Sequence, residues 1–163
     1  MKKFYLRSLC VFAGLAVVPA AISQADGQIP QIRPGSAEDP RLNALRKFFL
    51  TLRCPLAPIA EIFVAEADSH NLDWRLLPSL AIIESGGGRA AHDNNIFGWN
   101  NGHASFTTLG AAIHQVAATL ANGSAYKNKN LAALLRTYNP VQGYGEKVQT
   151  MMSQIAPLQF ATK

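Results

Sequence analysis

The chain has 163 residues, 48% hydrophobic and 15% charged, a length that supports one domain with a single core. Its formal charge of +5 is concentrated at the start, in Lys2, Lys3 and Arg7. Without those three, 12 of the 15 basic residues face 10 acids, and a balance of +2 argues against a nucleic-acid partner.

Residues 1–25 have the layout of a secretory signal peptide. A basic start precedes an apolar run from Leu9 to Ile22, and Ala21-Ile22-Ser23 or Ser23-Gln24-Ala25 offers a small-residue cleavage site. The apolar run is shorter than the ~20 residues that span a bilayer. The expectation is therefore an exported protein, periplasmic or extracellular, with no membrane span after cleavage. Only Cys54 then remains of the cysteines, which leaves no disulfide framework, and Cys54 reads as a small packed residue. Residues 26–40 contain Pro30, Pro34, Pro40, Gly27 and Gly35 and few large apolar groups, the composition of a flexible linker.

From residue 41 to 163 the pattern is helical. Leu42, Leu45, Phe49 and Leu52 recur at three or four residues in a first helix from Arg41 to Arg53. A second runs from about Pro58 to His70, with Ile59, Ile62, Phe63 and Ala67 on one face. A third covers the apolar segment that Asp73 introduces, with Pro78 in its first turn and Gly86-Gly87-Gly88 at its end. Thr107 or Thr108 caps a fourth, with Leu109, Ala112, Ile113, Val116 and Leu120 inward, and Asn122-Gly123 closes it. Asn130 opens a fifth that Asn139-Pro140 stops, and a sixth spans about Gly145 to Ile155. Only Ile96–Trp99 and Ser105–Thr107 offer strand material, enough for one small hairpin. The expected architecture is a mainly α, compact helical domain with at most that hairpin.

The third helix carries one carboxylate, Glu84, on the stripe of Leu77, Leu80 and Ala81. Burial and the negative end of the helix dipole both favour its protonated form, as a general acid near neutral pH requires. The competing reading is an ordinary helix-end carboxylate paired with Arg89. The glycines after it suit a place where a ligand or another backbone comes close.

Ile83-Glu84-Ser85, then Asn95-Ile96-Phe97-Gly98-Trp99, then Thr137-Tyr138-Asn139-Pro140 with Tyr144-Gly145-Glu146-Lys147-Val148 form an ordered set. That set resembles the lysozyme-like superfamily of peptidoglycan-cleaving glycosidases, from about Pro58 to Ile155. Asn-x-Phe-Gly is most similar to the glucosaminidase family related to mannosyl-glycoprotein endo-β-N-acetylglucosaminidase. The Glu-Ser and Tyr-Asn elements resemble soluble lytic transglycosylases. The resemblance implies a lysozyme-like fold, a glycan-strand substrate and Glu84 as the general acid, followed by Ser85. It also implies a groove loop containing Phe97 and Gly98, faced by Tyr138 and Asn139; Ser85, Asn95, Trp99 and Tyr144 are the further candidate substrate contacts. The chain departs from the pattern in lacking the transglycosylase Gly-Leu-Met-Gln loop and in the short interval from Ser85 to Asn94, whose one acid is Asp93.

Glycoside hydrolysis usually employs two carboxylates. Asp93 is the nearest candidate for the second, and its alternative role is a turn in His92-Asp93-Asn94-Asn95. Glu61, Glu66 and Asp68 read as solvated helix-face charges, and Glu146 as the opening of the last helix. If no second carboxylate acts, the substrate's acetamido group or the muramyl 6-hydroxyl supplies the attack. Trp99 is the aromatic side chain best suited to a sugar subsite, and Phe97 and Phe106 suit the core better. No cofactor is expected. His70, His92, His103 and His114 include no i, i+4 pair among themselves and there is no HExxH, so no metal is expected either. The function expected is a monomeric β-1,4-glycosidase acting on peptidoglycan glycan strands, with an anhydro-forming transglycosylase or a catalytically silent glycan binder as alternatives.

Overall fold

Six α-helices and no strand make up residues 39–157, the part of the chain that this computed structural model describes. The expected signal peptide lies outside those residues, as does the expected linker up to residue 38. Its last two residues are structured. Asp39 caps helix α1 (Pro40–Thr51), its Oδ1 accepting from the Arg41 N–H at 2.8 Å, and Pro40 is the first helical residue, where its missing N–H costs nothing. The Arg41 guanidinium also grips Asp39 at 2.7 Å and Asp68 at 2.6 Å. These contacts hold the Asp39 carboxyl below the usual carboxylate range.

A short 3-10 turn, Ala57–Ile59, leads into α2 (Ala60–Ser69), so Pro58 sits in the turn and the regular helix starts two residues later than expected. α3 is Leu76–Ser85, α4 Leu109–Asn122, α5 Leu131–Tyr138 and α6 Tyr144–Ile155. Two sequence-read caps hold: Thr108 Oγ1 accepts from the Ala111 N–H at 3.0 Å, and Asn130 Oδ1 from the Ala133 N–H at 2.9 Å. No helix among the described residues is long and apolar enough to cross a membrane.

α3 is the most enclosed element. Leu76, Leu77, Pro78, Ser79, Leu80, Ala81 and Ser85 are all buried. It packs on α6 and α2, while α1 packs on α2, α2 on α4, and α5 on α6. The core joins Leu45 and Phe49 of α1, Phe63 of α2, Leu77 and Leu80 of α3, Ile113 and Val116 of α4, Leu135 of α5 and Val148 of α6. Each such side chain contributes about 1.5–3 kcal/mol by leaving water. Phe49 and Phe63 meet edge to face, with ring centroids 5.7 Å apart.

Asp73 serves the entry to α3 differently from a simple cap. Its Oδ1 accepts from the Arg75 N–H at 3.0 Å and from Nε at 2.9 Å, and its Oδ2 accepts from Nη2 at 2.6 Å. Arg75 is only 2% exposed and spends Nη1 on the Ala156 carbonyl at 2.8 Å. The pair therefore ties the start of α3 to the end of α6. Pro78 lies in the first turn, where the backbone N–H groups lack intrahelical partners in any case.

The expected hairpin does not form. Asp93, Asn94, Gly98, Asn100, Asn101 and Gly102 all have positive φ, which a pleated strand excludes. The segment is instead a chain of turns. The Phe106 N–H donates to the Asp93 carbonyl at 2.9 Å, and Asn94 Nδ2 donates to the Phe106 carbonyl at 2.8 Å.

Candidate functional site

Glu84 stands in the last turn of α3, half-buried, at the point where the helix leaves the core. It opens onto a trench of about 960 Å³ and is the one acid among the described residues that line it. The Tyr144 hydroxyl, from the first residue of α6, donates to Glu84 Oε1 at 2.5 Å. The other oxygen faces the loop: a Cβ added to Gly98 would lie 3.2 Å from Oε2. Gly98 has a φ of +59°, so the absent side chain serves both the backbone turn and the room left beside the acid.

Arg89 is not the partner of Glu84. Its guanidinium is used on carbonyls, with Nη1 to Gly86 at 2.7 Å and Nη2 to Leu52 at 2.6 Å and Arg53 at 3.0 Å. It therefore joins the carboxyl ends of α1 and α3, where the exposed carbonyls favour a cation.

Aromatic side chains form the wall. Tyr138 stacks on Tyr144, with ring centroids 6.0 Å apart and planes at 16°. Trp99 lies 5.9 Å from Tyr138 and 6.4 Å from Tyr126. The Tyr138 hydroxyl donates to the Phe97 carbonyl at 2.7 Å, which fastens α5 to the 97–104 loop. Burial, then the hydrogen bond to Glu84, pushes the Tyr144 hydroxyl far above the ordinary phenol range. Burial, then the charge of Glu84, does the same for Tyr138. Both remain neutral donors at any physiological pH.

None of the known family models, curated proteins or solved structures compared with this chain matches it.

The residues singled out from sequence divide into three groups. Glu84, Phe97, Gly98, Trp99, Tyr138 and Asn139 line the trench, and Tyr144 reaches it through Glu84. Ser85 and Asn95 are buried beneath it. Ser85 Oγ lies 2.9 Å from the Ala81 carbonyl and 2.8 Å from that of Ile96, its possible acceptors, and accepts from the Gly88 N–H at 2.8 Å. Asn95 closes a loop on Trp99 through both its amide atoms, at 2.8 and 3.0 Å. These two residues shape the loop that carries Trp99 and have their polar groups engaged inside the fold. Asp93 stands apart: it is exposed, has a φ of +52°, and is not among the lining residues.

The glycine run after Glu84 makes room for protein. A Cβ at Gly87 would come 2.4 Å from Cys54 Sγ, and the Cys54 thiol is 3.4 Å from the Gly87 carbonyl. Burial pushes that thiol above its usual range, as suits a packed cysteine. Sequence reading missed Tyr126, Asn100, Asn101, Gly102, Ala104 and Pro140 as lining residues. The run Asn100-Asn101-Gly102 carried a turn signal, whereas Tyr126 lies between helices with no periodic pattern to mark it.

Proposed function

We propose that this protein is a peptidoglycan-cleaving glycosidase of lysozyme-like architecture, with Glu84 as general acid and then base. The observation that supports this reading best is a half-buried carboxylate, fixed by the Tyr144 hydroxyl, facing a trench walled by Trp99, Tyr126 and Tyr138. A glycan strand would enter with sugar faces against the rings, because their C–H groups meet the π faces while the indole N–H and phenol tips offer hydrogen bonds. Asn100, Asn101 and Asn139 add amides along the same trench. Glu84 would give its proton to the bridging oxygen as the bond to the anomeric carbon breaks.

The lone acid in the lining favours one branch of this chemistry. Both common hydrolytic schemes place a second carboxylate within about 10 Å of the first, as base or nucleophile. With Asp93 outside the lining, the better candidate is attack from within the substrate. In that route the muramyl 6-hydroxyl bonds to the anomeric carbon and passes its proton to the Glu84 carboxylate. The glycosidic bond breaks, and no water is added. Attack by the acetamido group followed by water is the hydrolytic counterpart.

The deciding experiment is digestion of purified sacculi with the wild type and with Glu84→Gln, followed by mass spectrometry of the soluble fragments. Anhydro ends support the intramolecular 6-hydroxyl route, and reducing ends with the mass of water support hydrolysis. Equal release by Glu84→Gln would remove Glu84 from the mechanism. Binding without release by the wild type would make the protein a glycan binder.

A further inference from the structure

α2 and α4, which carry none of the trench lining, bring together Glu66, His70 and His114. Glu66 is on α2 and His70, one turn later, is the residue that caps it, while His114 comes from α4, 48 positions after Glu66. Glu66 Oε2 is 3.0 Å from His114 Nδ1 and 3.5 Å from His70 Nε2. The three candidate ligand atoms all lie within 4.8 Å of one another. His70 Nε2 is buried and has no hydrogen-bond partner, although Glu66 Oε2 lies 3.5 Å away. An ordinary Glu66–His114 ion pair accounts for two of the three groups and leaves that inward nitrogen unexplained.

We propose that Glu66, His70 and His114 form a binding site for a divalent transition-metal ion, with zinc the best chemical fit. Two imidazoles and a carboxylate are borderline ligands of the type zinc takes, at about 2.0–2.2 Å in a tetrahedral arrangement. In a tetrahedron of that size neighbouring ligand atoms are roughly 3.3–3.6 Å apart. The His70 separation from Glu66, 3.5 Å, falls in that range and the His114 separation, 3.0 Å, is slightly short of it. The remaining gap between the rings closes by rotation of His114, which is 62% exposed and has space to turn. Calcium and magnesium are poor candidates, since they require six or more oxygens or an octahedral shell of oxygens and waters. Three protein ligands leave a fourth position for water or for a ligand from a partner.

The ion would clamp α2 to α4. Among the described residues the one cysteine, Cys54, is unpaired, so no covalent cross-link does that work. The proposal is independent of the glycosidase reading, because none of its ligands faces the trench.

The test is zinc titration of the purified chain, first stripped with a chelator, in competition with a chromophoric zinc indicator and in parallel with thermal unfolding. One zinc per chain and a rise in Tm are expected. His114→Ala, on an exposed side chain, should weaken binding about tenfold or more and abolish the rise. The double variant His92→Ala/His103→Ala, on exposed turns, should bind as the wild type does. Absence of stoichiometric binding, or equal binding by His114→Ala, overturns the proposal. His70→Ala gives a second check, and its failure to fold leaves the His114→Ala result decisive.

Discussion

The Tyr144 hydroxyl and the Glu84 carboxylate meet at 2.5 Å across 60 positions of sequence. The two come from α6 and α3, which pack directly on each other, so the acid is oriented by the core. Tyr144→Phe removes the donor and leaves Glu84 Oε1 without it. Losing a hydrogen bond to a charged or partly buried group costs about 1–3 kcal/mol, which as transition-state stabilisation is roughly a 5- to 150-fold loss of rate. We expect fragment release from sacculi to fall within that range, with the loss in kcat and little change in KM. Steady-state kinetics on a soluble glycan oligomer check it, and a loss confined to KM would contradict the orienting role.

Gly98→Ala should impair activity more than it impairs folding. The added methyl would sit 3.2 Å from Glu84 Oε2, and the φ of +59° adds a left-handed cost of about 1–2 kcal/mol. Gly86→Ala is the matched control outside the trench lining, since its φ of +62° also carries strain but the new Cβ meets only ordinary contacts with Arg89 at 3.9 and 4.0 Å. Denaturation midpoints for both variants should drop by similar small amounts, whereas only Gly98→Ala loses rate. Equal rates would mean that crowding the acid has no effect.

Ser85→Ala should reduce stability. The hydroxyl accepts from the Gly88 N–H and donates to one of the Ala81 and Ile96 carbonyls, so the change leaves a backbone donor unpaired in the interior. About 1–3 kcal/mol is expected, read as a lower urea midpoint with an unchanged slope. A midpoint equal to that of the wild type would return Ser85 to the list of substrate contacts.

Alkaline pH should unfold the protein as its tyrosines ionise. Tyr126, Tyr138 and Tyr144 all have phenols raised by burial, so each is neutral in the folded state where the unfolded chain would ionise. Their contribution to stability is complete below about pH 10 and declines as pH rises above it. Absorbance at 295 nm should show the Tyr138 and Tyr144 phenols ionising only as helical circular dichroism is lost. Reversible titration of both with the helices intact would contradict this burial.

The helices were legible because their signals are local. Thr108, Asn130 and the apolar stripes of α4 and α6 announce themselves within a turn or two. Glu84 and the rings Trp99 and Tyr138 could be chosen for the same reason. The hairpin failed because a short apolar run, Ile96–Trp99, outweighed the asparagines and glycines around it, which adopt left-handed turns. The Glu66–His70–His114 cluster was missed because the histidines were compared only with one another. Its i, i+4 partner is a glutamate, and its third member arrives through α2–α4 packing, which no periodicity encodes. Arg75 went unnoticed because a buried guanidinium is recognisable only once its acceptors, Asp73 and Ala156, are in place.

The trench draws its parts from two kinds of scaffold. The carboxylate and its hydroxyl companion belong to packed helices, whereas Trp99, Asn100, Asn101, Tyr126 and Asn139 sit on the stretches that connect helices. Connectors accept insertion and exchange more readily than helices packed in a core. Reshaping the trench is therefore a problem of grafting connectors, with the helix-borne carboxylate left standing.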